Sequence, residues 1–442
     1  MKAKAKAKTK VVTLGCYKNL VDSERLMRQL QLNDIELIAE NQITEYLDIV
    51  AINTCGFIHD AKKESIETIL HYVNLKDRGK VGKIVVFGCL SERYKNELIK
   101  EIPEVNNFFG KFAIGDIVKS IDKSAISEKL YQRTITTPSH YAYLKISEGC
   151  NRKCAFCAIP LITGKHKSVE IDDLVKEALF LAEQGTKELI LVAQDLNQYG
   201  SDLARKITLY ELIDRLSDIP EIEWIRLQYL YPQGFPKKLP NLMANNPKIC
   251  HYVDIPFQHA NNIILQKMER YHSYEDNIRI VEMLREAVPD IAIRTTLIVG
   301  FPGETDKRFD ELLKFVETVR FERLGAFTYS HEENTPAAKK LKDNVSEKVK
   351  LQRLEQIMSV QEKISTEKNL SKIGTIQRVI VDRKEDNMFI GRTQYDSPEV
   401  DNEVFITNRS GTKIKVGDFI NVEIVDAHAF DLFANTINDI KN

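Results

Sequence analysis

Residues 149–157, Gly-Cys-Asn-Arg-Lys-Cys-Ala-Phe-Cys, constrain this 442-residue chain more than any other stretch. Cys150, Cys154 and Cys157 (the motif cysteines) are separated by three residues and then by two. A loop with this spacing turns three sulfurs toward one compact inorganic core, and thiolates are the ligands that iron–sulfur clusters take. A four-iron cluster with three protein ligands keeps one iron open to bind a substrate. The motif therefore predicts a 4Fe–4S cluster with a chemical role.

The residues before the motif indicate where it lies in the fold. Residues 141–147 form a short apolar run, typical of a buried strand, so the cysteine loop is predicted at that strand's C-terminal end. Active sites of α/β barrels lie at this end of their strands. A disulfide set is excluded because three clustered cysteines cannot all pair. The alternative is a structural zinc site with His166 as fourth ligand, although zinc motifs usually contain two spaced pairs of ligands.

The first 110 residues alternate apolar strands with amphipathic helices. This alternation predicts an N-terminal domain with a doubly wound parallel sheet, preceded by a lysine-rich tail at residues 1–9. The predicted strands lie at 10–14, 48–53 and 83–87, and the helices that follow them lie at about 21–31, at 60–73 and from 92 onward.

Three further cysteines follow these three strands. Cys16, Cys55 and Cys89 (the N-terminal cysteines) each stand just beyond a strand end, beside a glycine. The carboxyl ends of parallel strands share one edge of a sheet, and ligands bind there, so the three thiols are expected to converge. Three buried core cysteines are the alternative, because free cysteine is among the most buried residue types. Because a cysteine follows each of the three strands at the same position, a second metal site with three protein ligands and an open iron is favoured over three unrelated core cysteines.

Residues 138–371 repeat the strand–helix unit about six times, which predicts an open, partial (β/α)6 barrel. The residues that follow its strands should form one face. His259 is interpreted either as a general acid/base or as a hydrogen-bonded structural histidine. Besides the motif, the face is predicted to hold Gln194, Asp195, Tyr231, His259 and residues 300–304.

The pattern changes after a charged connector helix predicted at about 345–369. Short strands predict a small OB-like β-barrel. Residues 372–442 contain nine Lys or Arg and twelve Asp or Glu, so this barrel is acidic and a poor phosphate binder. Its most acidic segment, residues 396–403, is predicted to be a loop between strands, interpreted either as solvated acidic surface or as a loop that meets a basic protein and steers it. The predicted strands lie at 375–381, 388–393, 403–407, 412–415 and 419–425.

The composition of the whole chain excludes some classes of protein. A net charge of −1 argues against general binding of polyanions. No apolar run approaches the ~18 residues that would indicate a membrane span. Seven cysteines without a secretory context indicate a reducing compartment. The chain is therefore expected in the cytoplasm and away from membranes.

The cysteines stand in segments that resemble a known family. A CxxxCxxC motif before an α/β chain is similar to the radical S-adenosylmethionine (SAM) superfamily, and Phe156 fits the aromatic residue usual before the last cysteine. With Leu-Gly-Cys at 14–16, Asn-Thr-Cys-Gly-Phe at 53–57 and Gly-Cys at 88–89, the chain resembles the methylthiotransferases over essentially its whole length.

Other segments resemble the branch of this family that methylthiolates an aspartate of ribosomal protein uS12. They are residues 14–24, 229–232, 254–260 and 391–399. Two places depart from that branch. Tyr17 stands where it usually has proline, and residues 163–170 lack its usual arginine-rich sequence.

The resemblance implies three domains and their cofactors. A cluster-binding domain is expected at 10–137, a radical SAM barrel with its connector helix at 138–371 and a TRAM domain at 372–442. The implied cofactors are SAM and two 4Fe–4S clusters. The cluster of the motif cysteines would cleave SAM to a 5′-deoxyadenosyl radical, and that of the N-terminal cysteines would deliver sulfur.

The resemblance also implies contacts and partners. The protein substrate would be uS12, and a reductant protein such as flavodoxin or ferredoxin would supply electrons, with direct nucleic-acid binding secondary. Two alternatives are a tRNA adenosine methylthiotransferase and a non-enzymatic iron–sulfur scaffold in ribosome assembly. The expected SAM contacts are Phe156, Gln194, Asp195, Gly300 and Gly303.

Overall fold

The structure is a computed structural model that describes residues 7–39, 42, 45–111, 113–122, 131–409, 411 and 413–437. The chain divides into two compact units. The first is Met1–Thr136, Tyr143–Arg152 and Cys157–Phe180, and the second is Thr137–Ala142, Lys153–Phe156 and Leu181–Asn442. Residues 1–6 of the predicted tail lie outside the described residues. The first strand begins at Lys8, two residues earlier than predicted.

The first unit contains a five-stranded sheet in the order β2-β1-β3-β4-β5, and its neighbouring strands are parallel. The predicted doubly wound parallel sheet is confirmed. Its elements are β1 (Lys8–Thr13), α1 (Tyr17–Leu32), β2 (Glu36–Leu37), β3 (Leu47–Thr54), α2 (His59–Asp77), β4 (Val81–Gly88), α3 (Cys89–Glu101), β5 (Asn107–Phe108) and α4 (Ile114–Asp122).

Apolar residues form a core on each face of this sheet. Ile52 packs with Ile69 of α2 on one face, and its neighbour Ala51 packs with Leu26 of α1 on the other. Successive residues of a strand point to opposite faces, so a strand apolar throughout is buried on both sides. The two cores hold β1, β3 and β4 in register, and their C-terminal ends therefore lie along one edge.

The elements that follow build a six-stranded sheet in the order β13-β12-β11-β10-β9-β6. The predicted six strand–helix repeats are confirmed. No helix among the described residues is long and apolar enough to cross a membrane. The elements are β6 (Tyr141–Lys145), β7 (Ser147–Glu148), α5 (Ile159–Ile162), β8 (Lys167–Ser168), α6 (Ile171–Glu183), β9 (Glu188–Val192), α7 (Leu209–Ser217), β10 (Trp224–Leu227), α8 (Leu239–Asn245), β11 (Ile249–Asp254), α9 (Asn262–Lys267), α10 (Tyr274–Ala287), β12 (Ala292–Val299), α11 (Asp306–Val319), β13 (Arg323–Thr328), α12 (Pro336–Lys340) and α13 (Glu347–Leu370).

The C-terminal strands close into a small barrel in the order β14-β15-β16-β18-β17. The predicted strand at 412–415 is wrong where the structure describes it, because residues 413–415 are irregular. The fifth strand lies further on, at 431–436, where Leu432 and Phe433 are adjacent and the remaining residues are small or polar, so apolar and polar residues do not alternate clearly. The strands are β14 (Ile376–Glu385), β15 (Met388–Thr393), β16 (Glu403–Thr407), β17 (Phe419–Ala427) and β18 (Asp431–Thr436).

Buried ion pairs join this small barrel to the six-stranded sheet. Arg392 of β15 lies 2.9 Å from Glu188 of β9 and 2.7 Å from Asp382 of β14. Glu188 also accepts a hydrogen bond of 2.7 Å from Arg226 of β10, and both side chains are fully buried. Glu188 is the first residue of its strand. The small barrel is therefore attached at the edge where the parallel strands begin.

The acidic loop at 396–403 belongs to this attachment. Its prediction as an exposed loop is wrong for the side chains of Asp396 and Asp401, whereas Glu399 is exposed as predicted. That the loop meets a basic protein stays a prediction. Asp396 is completely buried and pairs with Arg323, the first residue of β13. Asp401 accepts hydrogen bonds from Tyr252 (2.8 Å) and Arg294 (3.2 Å). A buried carboxylate needs such partners, and the sequence shows the acidic residues without showing which distant arginines neutralise them.

Candidate functional site

The N-terminal cysteines occupy equivalent places in the first unit. Cys16 is the residue before α1, Cys55 follows the last residue of β3, and Cys89 is the first residue of α3 directly after β4. Cys55 and Cys89 are buried, and Cys16 is partly buried. The structure therefore places each cysteine after a strand, at the C-terminal edge of the sheet. That they bind a metal there stays a prediction.

Glycines allow the loops that carry these cysteines to approach closely. Gly15 has a φ of +89°, and a Cβ added to it would lie 2.7 Å from the Cβ and 2.9 Å from the Sγ of Cys55. A Cβ on Gly56 would lie 2.7 Å from the Cα of Leu90, the residue after Cys89. Both distances are shorter than real side chains allow, so only glycine fits. The first loop therefore touches the second, and the second touches the third.

Asn19, which the sequence analysis did not single out, links the same loops. Its Nδ2 donates to the backbone oxygens of Leu14 (2.9 Å) and Thr54 (3.3 Å). The Cys89 thiol donates to its Oδ1 at 3.6 Å. Asn19 stands three residues after Cys16, so the first turn of α1 places it over the loop ends. The three-residue spacing between Cys16 and Asn19 is the sequence signal that could have indicated this role.

Charges and burial act differently on the three thiols. Burial raises the pKa of Cys55 and raises the pKa of Cys89 to about 12. Burial also raises the pKa of Cys16, but the nearby Lys18 and Lys111 outweigh it and hold the net value below the ordinary one. Metal ligation requires thiolates, and these two lysines favour the charged form of the sulfur.

In the second unit, Cys154 lies between an aromatic hydroxyl and a cation. Its Sγ is 3.2 Å from the Tyr231 hydroxyl, and Arg270 Nη1 donates to it at 3.7 Å. The Arg270 guanidinium stacks 4.2 Å from the centre of the Tyr231 ring, and another of its nitrogens donates to the backbone oxygen of Pro256. Tyr231 was predicted on this face, but Arg270 was missed because it lies 116 positions from Cys154.

The other two motif cysteines belong to the first unit. The Cys150 sulfur accepts from the Arg152 amide at 3.4 Å, and the Cys150 amide donates to the Gly164 carbonyl at 3.1 Å. Cys157 is partly buried. Tyr17, where proline was the usual residue, stacks on Tyr143 of β6 with ring centres 4.1 Å apart. An aromatic residue is therefore accommodated at this position.

No group of three or more His, Cys, Asp and Glu side chains in the described part of the chain is arranged to hold a single metal ion. His166, the alternative zinc ligand, has its Nε2 3.0 Å from Ser168 Oγ. A 4Fe–4S cluster differs from a single ion because each thiolate binds a different iron. The close loops, the lysines at the N-terminal cysteines and the arginine at Cys154 fit such a cluster.

The predicted SAM contacts lie at strand ends in the second unit. Gln194 is partly buried beside Asp195, whose carboxylate accepts from the Asn197 amide (3.0 Å) and the Gln198 side chain (2.8 Å). Asp195 thereby shapes the turn after β9. Phe156 packs against an apolar group that includes Phe301 and the sequence-neighbouring Ala155.

Gly300 and Gly303 both have left-handed backbone angles, φ +75° and +88°, which favour glycine. Gly300 also lies against the stem of Lys350, whereas the neighbour of Gly303 is the flexible end of a lysine side chain. A Cβ on Gly300 would lie 2.3 Å from Lys350 Cγ, and one on Gly303 would lie 2.2 Å from Lys267 Nζ. His259 is completely buried, and its Nε2 lies 3.0 Å from Glu304. Of the two interpretations given to His259, these contacts favour the hydrogen-bonded structural histidine.

Comparisons with known proteins identify the family. Residues 144–316 match the Radical SAM superfamily, residues 8–110 match the uncharacterized protein family UPF0004, and residues 373–437 match the TRAM domain. The ribosomal protein uS12 methylthiotransferase RimO of Cytophaga hutchinsonii is 51% identical over 439 residues, covering 99% of this chain and 100% of the relative. The RimO of Christiangramia forsetii is 50% identical over 437 residues, covering 99% and 96%. The chain belongs to the RimO family.

Solved structures resemble the fold at low sequence identity. The radical SAM methyltransferase TsrM of Kitasatospora setae has a TM-score of 0.53 at 14% identity, covering 75% of this chain and 77% of that one. The radical SAM enzyme OxsB has a TM-score of 0.52 at 15% identity, covering 70% and 52%. As a RimO-family methylthiotransferase, the chain uses SAM and two 4Fe–4S clusters as cofactors.

Proposed function

We propose that this RimO-family enzyme divides its reaction between its two sets of three cysteines, and that its substrate is an aspartate of ribosomal protein uS12. The motif cysteines hold the cluster that binds and cleaves SAM. The N-terminal cysteines hold the cluster that delivers sulfur. The observation that carries this division is the repeated placement of Cys16, Cys55 and Cys89 at three strand ends, with glycines where their loops touch.

When bound, the clusters and SAM supply the radical chemistry that removes hydrogen from an unactivated carbon, which acid and base side chains cannot do. The protein positions the reactants and excludes water. Arg270 and Tyr231 both contact the Cys154 sulfur and hold it in a fixed orientation. Asn19 and Gly15 keep the loops of the N-terminal cysteines together.

The SAM site is assigned to the strand ends of the second unit. Phe156 and Gln194 are proposed direct contacts. Asp195, Gly300 and Gly303 are proposed to form the surrounding turns, because their polar groups or their missing side chains already serve neighbouring residues. This assignment does not require a basic surface around SAM, since the cluster that the motif cysteines would hold would supply a binding site for the polar groups of SAM.

The proposed domains and partners follow the same scheme. The cluster-binding domain is residues 10–137, the radical SAM barrel is 138–371 and the TRAM domain is 372–442. A reductant protein such as flavodoxin or ferredoxin would supply electrons in the cytoplasm. The acidic TRAM domain favours a protein substrate, because phosphate backbones are bound by Lys and Arg.

Mass spectrometry of uS12 tests the substrate directly. We expect one aspartate of uS12 to carry a methylthio group in cells that contain this protein and to lack it in cells from which the gene is deleted. Restoring the gene should restore the modification. Unmodified uS12 together with loss of methylthio-adenosine from tRNA in the deletion strain would favour the tRNA alternative.

Iron content tests the number of clusters. Anaerobically reconstituted protein should hold about eight irons per chain, four for each cluster. Changing the motif cysteines to alanine should leave about four, and changing the N-terminal cysteines should do the same. A wild-type value near four, or zinc at the N-terminal cysteines, would remove the second cluster from the proposal.

A further inference from the structure

Lys111 is a buried lysine whose ammonium points at a proposed cluster ligand. It lies between β5 and α4 in the first unit and is only 4% exposed. Its Nζ is 3.8 Å from Cys89 Sγ and 3.2 Å from Glu148 Oε1. Its amide donates to Glu92 of α3 at 2.8 Å. A buried ammonium is costly unless it is paired, so these contacts fix both the backbone and the charged end.

Glu148 connects Lys111 to a second buried pair. The other carboxylate oxygen of Glu148 lies 2.9 Å from Lys145 Nζ, and Lys145 in turn pairs with Asp22 of α1. Two lysines and two carboxylates therefore alternate in one chain of contacts within the first unit. Lys111, the last member of this network, donates to a cysteine sulfur. The positive end of the network faces the N-terminal cysteines.

We propose that Lys111 is a positioning residue for the N-terminal cluster, with its ammonium donating to the Cys89 thiolate and Glu148 holding it in place; this rests on the proposed function of those cysteines. A charged hydrogen bond to a ligating sulfur withdraws negative charge from the cluster. Such bonds raise the reduction potential and strengthen retention of the metal. Glu148 is two residues before Cys150, so the same network also anchors the strand that leads into the motif.

The network itself provides a matched control. Lys145 is a buried lysine of the same chain of contacts, paired with Asp22 and Glu148. If Lys111 acted only as a partner for buried carboxylates, replacing either lysine would have the same consequences. If it acts on the cluster, only its own replacement should change the properties of the iron.

The experiment uses full-length protein in which the motif cysteines are alanine, so that only the N-terminal cluster is present. Lys111→Met, Lys111→Arg and Lys145→Met are reconstituted anaerobically. Their midpoint potentials are measured by redox titration, and their loss of iron to a chelator is followed over time. We expect Lys111→Met to shift the potential to a more negative value and to lose iron about 10–100-fold more readily. Lys111→Arg should retain most of both properties, and Lys145→Met should match the parent.

A double variant separates the loss of the Lys111 charge from misfolding caused by an unpaired buried carboxylate. Lys111→Met with Glu148→Gln removes one charge of each sign, so no buried carboxylate is left unpaired, and it should show the same negative shift. Equal shifts in Lys111→Met and Lys145→Met would overturn the proposed role of Lys111 and leave the proposed function standing. Unchanged potential and iron retention in both the single and the double Lys111→Met variant would do the same. Absence of iron from the parent protein would overturn the proposed function together with it.

Discussion

Changing the three N-terminal cysteines to alanine is expected to abolish methylthio transfer while SAM cleavage continues. The motif cysteines are intact in this variant, so reductant and SAM should still yield 5′-deoxyadenosine. Changing the three motif cysteines should instead abolish 5′-deoxyadenosine formation itself. Both products are measured by mass spectrometry after anaerobic reaction with uS12. Methylthiolated uS12 formed by the first variant would contradict the sulfur-delivery role of Cys16, Cys55 and Cys89.

The seventh cysteine supplies a matched control. Cys250 lies in β11 of the second unit, is completely buried, and burial raises its pKa to about 12. It belongs to neither set of three. Cys250→Ala should therefore leave both SAM cleavage and methylthio transfer at the parent level. A loss of transfer in this variant would show that general damage to the fold can imitate loss of a cluster.

Replacing Arg392 with methionine is expected to destabilise the attachment of the small barrel by about 3–5 kcal/mol. Arg392 is only 2% exposed and is shared by Glu188 and Asp382. Its removal leaves buried carboxylates with fewer cations. Trp224, the sole tryptophan of the chain, reports this interface because its ring lies 4.7 Å from Phe419 of β17. Urea unfolding followed by tryptophan fluorescence should therefore show a lower midpoint.

Arg383 provides the comparison for Arg392. Arg383 follows Asp382, a partner of Arg392, in β14. Its side chain is 42% exposed, and it pairs with Glu403 and Glu385. Exposed pairs contribute roughly 0.2–1 kcal/mol, so Arg383→Met should move the midpoint little. Similar midpoints for the two variants would contradict a stabilising role for the buried network.

The same network makes the attachment sensitive to acid. Burial raises the pKa of Glu188 and of Asp396, but adjacent arginines outweigh burial and lower both values overall. A carboxyl with a lowered pKa in the fold stabilises it above the unfolded pKa of about 4, and this stabilisation is lost as the pH falls through the lower folded value. The Trp224 signal should therefore remain native from neutral pH to about pH 4 and change below it.

Two buried carboxylates in the loop at 396–403 change where a protein substrate is sought. Asp396 and Asp401 are neutralised by Arg323 and Arg294 of the barrel sheet and cannot attract a basic partner strongly. The small barrel is attached where the strands of this sheet begin, whereas the motif follows the C-terminal end of β6. Substrate contacts near the cluster are therefore expected from the loops at the strand ends rather than from Asp396 and Asp401.

The sequence by itself determined the class of fold and the two sets of cysteines. Continuous apolar strands alternating with helices are buried on both faces only in parallel sheets, so the pattern predicts the architecture directly. Cys16, Cys55 and Cys89 follow three such strands, and parallel strands place their ends along one edge. These inferences use local periodicity, which a single sequence carries.

Only the tertiary structure decided which distant charges meet. Lys111 with Cys89, Arg270 with Cys154 and Arg323 with Asp396 join residues 22, 116 and 73 positions apart. A charged residue looks the same in the sequence whether it faces water or a buried partner. Its energetic role depends on desolvation and on the distance to the opposite charge, and both arise when separate elements pack together.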